Sequence, residues 1–191
     1  ALFSQNMLEI AAELALTDPD YGDMALKFCE HFLWIAAAMG HVGQDTGMWD
    51  EEDGFYYDLL RMPDGRAIRL KVRSMVGLLP LCATTVIEKE QRERIPGAMD
   101  LIMKRLKRIP ELKETIHPTG PGHYGTAERG ILALVNPERL RRILTKMLDE
   151  NEFLSPYGIR SLSKFHEQHP YIFHVNGQEY RVDYLPAESN T

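Results

Sequence analysis

Gly47-Met48-Trp49-Asp50-Glu51-Glu52-Asp53-Gly54-Phe55-Tyr56-Tyr57-Asp58 is the most unusual stretch of the chain. It sets four consecutive carboxylates, Asp50 to Asp53, between Trp49 and the aromatic run Phe55-Tyr56-Tyr57, directly after a strongly apolar run. The spacing is too irregular for an amphipathic helix. Two readings stand side by side. In one, the stretch is a solvated acidic loop that enters a hairpin whose aromatics are core. In the other it is a binding segment, because carboxylates beside flat rings suit a polyhydroxylated ligand: the acids take hydroxyl hydrogen bonds or handle protons, and the rings cover the C–H faces of a sugar.

Before this stretch, Leu2 to Leu16 reads as a largely buried helix, with apolar residues spread around its circumference. Asp18-Pro19 supplies an N-cap and a first-turn proline for a second helix that ends near Gly40, so the two form a helical hairpin. After it, Phe55 to Leu60 and Ala67 to Val72 read as strands around the turn Met62-Pro63-Asp64-Gly65. Ser74 to Ile87 is almost wholly apolar and reads as a buried helix bent near Pro80. Asn136-Pro137-Glu138 starts a helix with Leu140, Ile143, Leu144, Met147 and Leu148 on one buried stripe. Phe153 to His169 has loop composition, and Asn176-Gly177 between apolar runs is the strongest hairpin signal in the chain. The pattern predicts helix pairs separated by polar, aromatic loops and small hairpins, with function on the loops.

Composition narrows the function classes. The 191 residues carry a net charge of −6 at pH 7, which lacks the basic footprint of nucleic-acid or anionic-membrane binding. No apolar run is long enough to span a bilayer. Cys29 and Cys82 read as two isolated buried thiols and favour a reducing compartment, the cytoplasm. The histidines are scattered without a His-Glu-x-x-His pair, the glycine-rich loop at 120–125 lacks the Lys-Ser or Lys-Thr of a phosphate loop, and no Gly-x-Ser-x-Gly elbow occurs. Carboxylate chemistry is what remains.

Four segments in order carry a resemblance: Trp49 to Asp58, Leu70 to Leu81, Tyr157-Gly158-Ile159-Arg160-Ser161-Leu162-Ser163, and Pro186 to Thr191. Together they resemble bacterial proteins related to glycoside hydrolase family 63, the group of processing α-glucosidase I and mannosylglycerate hydrolase-like enzymes. The resemblance implies an all-α fold with small hairpins, part of an (α/α)6 toroid. It also implies inverting hydrolysis of α-glucosidic or α-mannosidic bonds, with no metal or cofactor in the chemistry. In that group the general acid is an aspartate in a Ser-Gly-(Trp/Met)-Asp segment and the base a glutamate near a Glu-Tyr-Phe-like motif. The chain contains neither segment, so residues 1–191 are expected to be a single, incomplete piece of a larger catalytic domain, with no catalytic residue of its own.

Substrate-binding roles are expected instead for Trp49, Phe55 and Tyr57 as stacking surfaces and for Asp50, Asp53, Asp58 and Glu188 as hydroxyl acceptors. Arg73 and Arg160, each beside a serine, either orient substrate through a planar fork or tie two loops by an ion pair. The expected partner is a carbohydrate substrate, with self-association through the apolar helix faces that an open piece of a toroid would expose. From another class, the alternative is a non-catalytic helical module that binds carbohydrate or protein.

Overall fold

The computed structural model describes residues 1–40, 47–95, 97–108 and 128–186. The chain divides into two compact units, the first formed by Ala1–Gly47 with Pro80–Pro137, the second by Met48–Leu79 with Glu138–Thr191.

The first unit is built on helices α1 (Leu2–Leu14) and α2 (Tyr21–Met39). Small residues make their contact close: Ala11 and Ala12 of α1 are buried, as are Ala25, Ala36 and Ala37 of α2, with Leu8, Phe32 and Leu33 filling the layer between. The turn differs in detail from the expected cap. Asp20, not Asp18, precedes α2, while the Asp18 carboxylate accepts from the Asp20 backbone N–H at 3.1 Å and holds the reversal. Gly40 closes α2 as expected. Strand β5 (Thr84–Ile87) pairs antiparallel with β6 (Gly130–Ala133), Thr84 opposite Ala133 and Ile87 opposite Gly130. Helix α3 (Lys89–Arg94) opens on a capping box in which Glu88 and Gln91 satisfy each other's backbone N–H groups, and α4 (Gly97–Arg108) follows.

The second unit is mostly hairpins. Strands β1 (Trp49–Asp50) and β2 (Phe55–Tyr56) pair with Trp49 opposite Tyr56 and Asp50 opposite Phe55. β3 (Asp58–Arg61) pairs with β4 (Ala67–Leu70), and β7 (Leu154–Ser155) with β8 (Gly158–Ile159). β9 (Tyr171–Val175) pairs with β10 (Gln178–Val182) around Asn176-Gly177, both at positive φ, the backbone a two-residue primed turn requires. One helix, α5 (Pro137–Met147), runs into this unit. Its core is aromatic: Phe55 lies stacked on Phe153 with centroids 5.6 Å apart, Tyr57 meets Phe55 edge-on, and Ile143 of α5 is fully enclosed.

The expectation of an all-α toroid is therefore corrected. The described residues are 45% helical and 23% strand, arranged in five small antiparallel sheets rather than successive helical hairpins. The physical reason lies in the segments between the helices. Ser74 to Ile87, read as one bent helix, is a 3-10 helix over Met75–Cys82 followed by β5, since Pro80 prevents a regular helix and the β-branched run Thr84 to Ile87 favours an extended chain. The stripe on α5 is also rotated from the expected one: Ile143 and Arg139 are buried, whereas Leu140 and Leu148 are exposed.

Candidate functional site

The acidic stretch folds back on itself as the β1–β2 hairpin, and its turn is fastened by its own carboxylates. The Asp50 carbonyl accepts from Gly54 N–H at 2.9 Å, and the Asp50 carboxylate accepts from Asp53 N–H at the same distance. Gly54 takes the left-handed conformation, with φ of 62°. The space a Cβ would need there is filled by the guanidinium of Arg142, which bonds the Glu51 and Glu52 carbonyls and the Glu51 carboxylate. Arg142 comes from α5, as does Arg139, and both guanidinium groups face the Trp49 ring, at 5.5 and 4.8 Å. The indole N–H donates to Glu51 at 2.5 Å, leaving Trp49 only 5% exposed. A ring packed in this way offers no free stacking face.

Behind the turn lies a continuous ionic network. The Lys71 ammonium contacts Asp50 at 3.0 Å and Asp53 at 3.1 Å, and Arg69 approaches Asp50 at 3.5 Å. Asp53 also accepts from the Tyr57 hydroxyl at 3.0 Å and from Arg73 at 3.3 Å. Arg73 is the hub. Its guanidinium reaches Glu152 at 2.5 Å and Tyr57 at 3.3 Å, and its plane lies 3.8 Å from the Phe165 ring centroid. Its backbone N–H donates to His166 Nε2 at 2.8 Å, which leaves Nδ1 of His166 to donate to the His169 carbonyl at 2.9 Å, a neutral imidazole. Its carbonyl accepts from Ser163 N–H, and the fully buried Ser163 hydroxyl donates to Glu152.

These contacts set the protonation states. Burial would raise the Asp50 carboxyl, yet the Asp53 N–H and the Lys71 ammonium outweigh it and hold that group below the usual carboxylate range. At Asp53 burial is likewise outweighed, by Lys71, Tyr57 and Arg73. Burial pushes the Tyr57 hydroxyl well above its ordinary range. Lys146 is lowered by burial and by the neighbouring Arg73 charge, against a Glu152 carboxylate 3.7 Å away. Both aspartates are thus fixed as anions near neutral pH, the wrong state for a general acid. Because they accept from one Nζ, their bonded oxygens lie closer together than the roughly 6.5–9.5 Å between the carboxyl groups of an inverting pair.

The structure brings Trp49, Asp50, Asp53, Tyr57 and Arg73 together and places the other candidates elsewhere. Phe55 is a core ring covered by Gly77, where a Cβ would collide with the ring and with the Tyr56 carbonyl. Asp58 is exposed on β3. Arg160 bonds the carbonyls of Glu150, Glu152 and Leu154, bracing the β7–β8 hairpin. Glu188 lies outside the described residues. Glu152, Ser163, His166 and Lys71 are members of the network that sequence reading missed. Arg139, Arg142 and Lys146 carried a readable signal, a basic stripe at i, i+3 and i+7 on α5. Among the described residues no group of three His, Cys, Asp or Glu side chains is placed to hold a metal ion, and no helix is long and apolar enough to cross a membrane.

Comparison with known proteins adds one relative. No family model matches the chain, and no solved structure matches it. The chain is 42% identical over 203 aligned positions to the uncharacterized protein YMR196W of Saccharomyces cerevisiae, an alignment that covers 100% of the chain and 18% of the yeast protein. The chain thus spans 18% of the length of that relative. The resemblance to family 63 glycoside hydrolases is corrected by these findings: no family model supports it, and the four segments that suggested it fold into hairpins, a 3-10 helix and an ionic network wherever they are described.

Proposed function

We propose that the chain is a non-catalytic, carbohydrate-binding part of a longer protein, taking neighbouring hydroxyls of a polyhydroxylated ligand at the Asp53–Lys71 pair. One observation carries this reading. The Asp53 carboxylate and Lys71 ammonium lie 3.1 Å apart on side chains that are 21% and 41% exposed, and Tyr57, Arg73 and Asp50 contact them. A vicinal diol suits such a pair, one hydroxyl donating to Asp53 and the other accepting from Lys71, with no side-chain entropy left to lose on binding. Its lowered pKa keeps Asp53 an anionic acceptor throughout the neutral range. In the enzymatic form of this reading, a longer parent performs inverting hydrolysis of α-glucosidic or α-mannosidic bonds. Both reacting carboxylates then come from outside this segment.

Calorimetric titration of the chain with a panel of mono- and oligosaccharides tests the proposal. Saturable binding is expected, weakened about tenfold in Lys71→Met by loss of roughly 1.4 kcal/mol of charged hydrogen bonding. Thermal unfolding of the variant checks that its fold persists. Absence of binding across the panel would overturn the reading in favour of a protein-binding module, and binding indifferent to Lys71→Met would overturn the assignment of the site to the Asp53–Lys71 pair.

A further inference from the structure

Helix α1 has two apolar faces, and only one is covered. Ser4, Gln5, Leu8, Ala11 and Ala12 are buried, a face of small and polar residues in which the Gln5 side-chain carbonyl has no partner among the described residues. Leu8 is the one large apolar residue on that face, and four others lie on another side. Phe3, Met7, Ile10 and Leu14 follow one another at i, i+4, i+7 and i+11, a stripe along three turns of helix. Phe3 is 74% exposed and Ile10 53%, Leu14 is also exposed, and Met7 is half-buried. The two charged residues of the helix, Glu9 and Glu13, fall between the two faces and not on the stripe. A helix at the edge of a domain buries its large apolar residues; on α1 Leu8 is buried among small and polar residues, while Phe3, Ile10 and Leu14 stay exposed. That arrangement belongs to a helix between two layers.

We infer that the Phe3–Met7–Ile10–Leu14 stripe is the packing seam for an amphipathic helix contributed by another part of the same longer polypeptide. Two observations select this occupant. The stripe is about 17 Å long, at 1.5 Å per residue, and offers four side chains. Such a contact falls well short of the roughly 1,200 Å² that a stable interface between separate chains buries, so a second copy is a poor fit. A tethered segment needs no such area, because its effective concentration is set by the linker. The alignment to a relative of which the chain spans 18% supplies ample polypeptide for that segment. The seam calls for an apolar, uncharged complementary stripe, since Phe3, Met7, Ile10 and Leu14 present no polar group to it.

Hydroxyl-radical footprinting of the 191-residue chain and of its full-length parent, with light scattering of both, tests this inference. Phe3, Ile10 and Leu14 should oxidise at solvent-exposed rates in the 191-residue chain as a monomer and become severalfold protected in the parent. Exposed Leu79 serves as an internal standard for dose. Ile10→Glu in the parent should restore oxidation at Phe3 and Leu14. Equal oxidation in both proteins would overturn the inference. So would protection in the 191-residue chain, by a second copy if it is dimeric or by its own residues if it is monomeric.

Discussion

Arg73 ties together three parts of the second unit: its guanidinium serves Glu152, Asp53 and Tyr57 at once, and its backbone binds His166 and Ser163. Removing it takes from Glu152 its closest cation and leaves that carboxylate the Ser163 hydroxyl and Lys146 at 3.7 Å, so Arg73→Met should destabilise the fold by about 1–3 kcal/mol in chemical denaturation, and Arg73→Lys should recover little, since an ammonium cannot reproduce the planar fork. The aspartates set the acid limit. Their folded pKa values lie below the ordinary range, so they contribute stability that is fully present above the unfolded carboxylate pKa and is lost as pH falls through the folded values. Unfolding free energy measured from neutral to strongly acid pH should therefore decline below the usual carboxylate range, and Asp53→Asn should flatten that limb. At this scale the sequence was informative about which residues gather and silent about why. Trp49, Asp50, Asp53, Tyr57 and Arg73 stood out by type, but their partners Glu152, Ser163 and His166 are more than 70 positions further along, and pairing at that separation leaves no local pattern.

At the level of elements, close approach is written into two glycines. Gly77 lies against the Phe55 ring and the Tyr56 carbonyl, and Gly54 sits under Arg142 in a left-handed turn. Gly77→Ala should cost about 1–3 kcal/mol through overpacking, whereas Gly22→Ala, inside α2 with open space around it, should be neutral or stabilising by up to about 1 kcal/mol. Thermal unfolding of the two variants side by side checks the contrast. Elements with strong local signals were legible: α2 ending at Gly40, the hairpin at Asn176-Gly177, the helix start at Asn136-Pro137. Of the two-residue strands, only β2 fell inside a segment read as a strand, Phe55 to Leu60, and there without its break from β3. β1 lies within an acidic stretch whose alternation is too short to register, and β7 and β8 sit in a segment of loop composition braced by Arg160 rather than by an apolar pattern.

Across the whole molecule, the expectation of a toroid came from the resemblance to family 63 glycoside hydrolases, and the five small antiparallel sheets among the described residues overturn it. The thiols follow the same lesson of position over composition. Cys29 is buried, its pKa pushed up to about 11 by burial, whereas Cys82 is exposed, against the expectation that both are enclosed. Alkylation followed by peptide mass spectrometry should label Cys82 in the native protein and Cys29 only after unfolding. The acidic stretch itself is the main case. Carboxylates expected as hydroxyl acceptors, Asp50 and Asp53, are held as anions by lysine and arginine side chains. The most direct test of that view is a carbon-13 NMR titration of the aspartate and glutamate carboxyl groups in the folded chain. Asp50 and Asp53 should titrate below the usual carboxylate range. Titration of either Asp50 or Asp53 near neutrality would contradict it and mark a general acid in this segment.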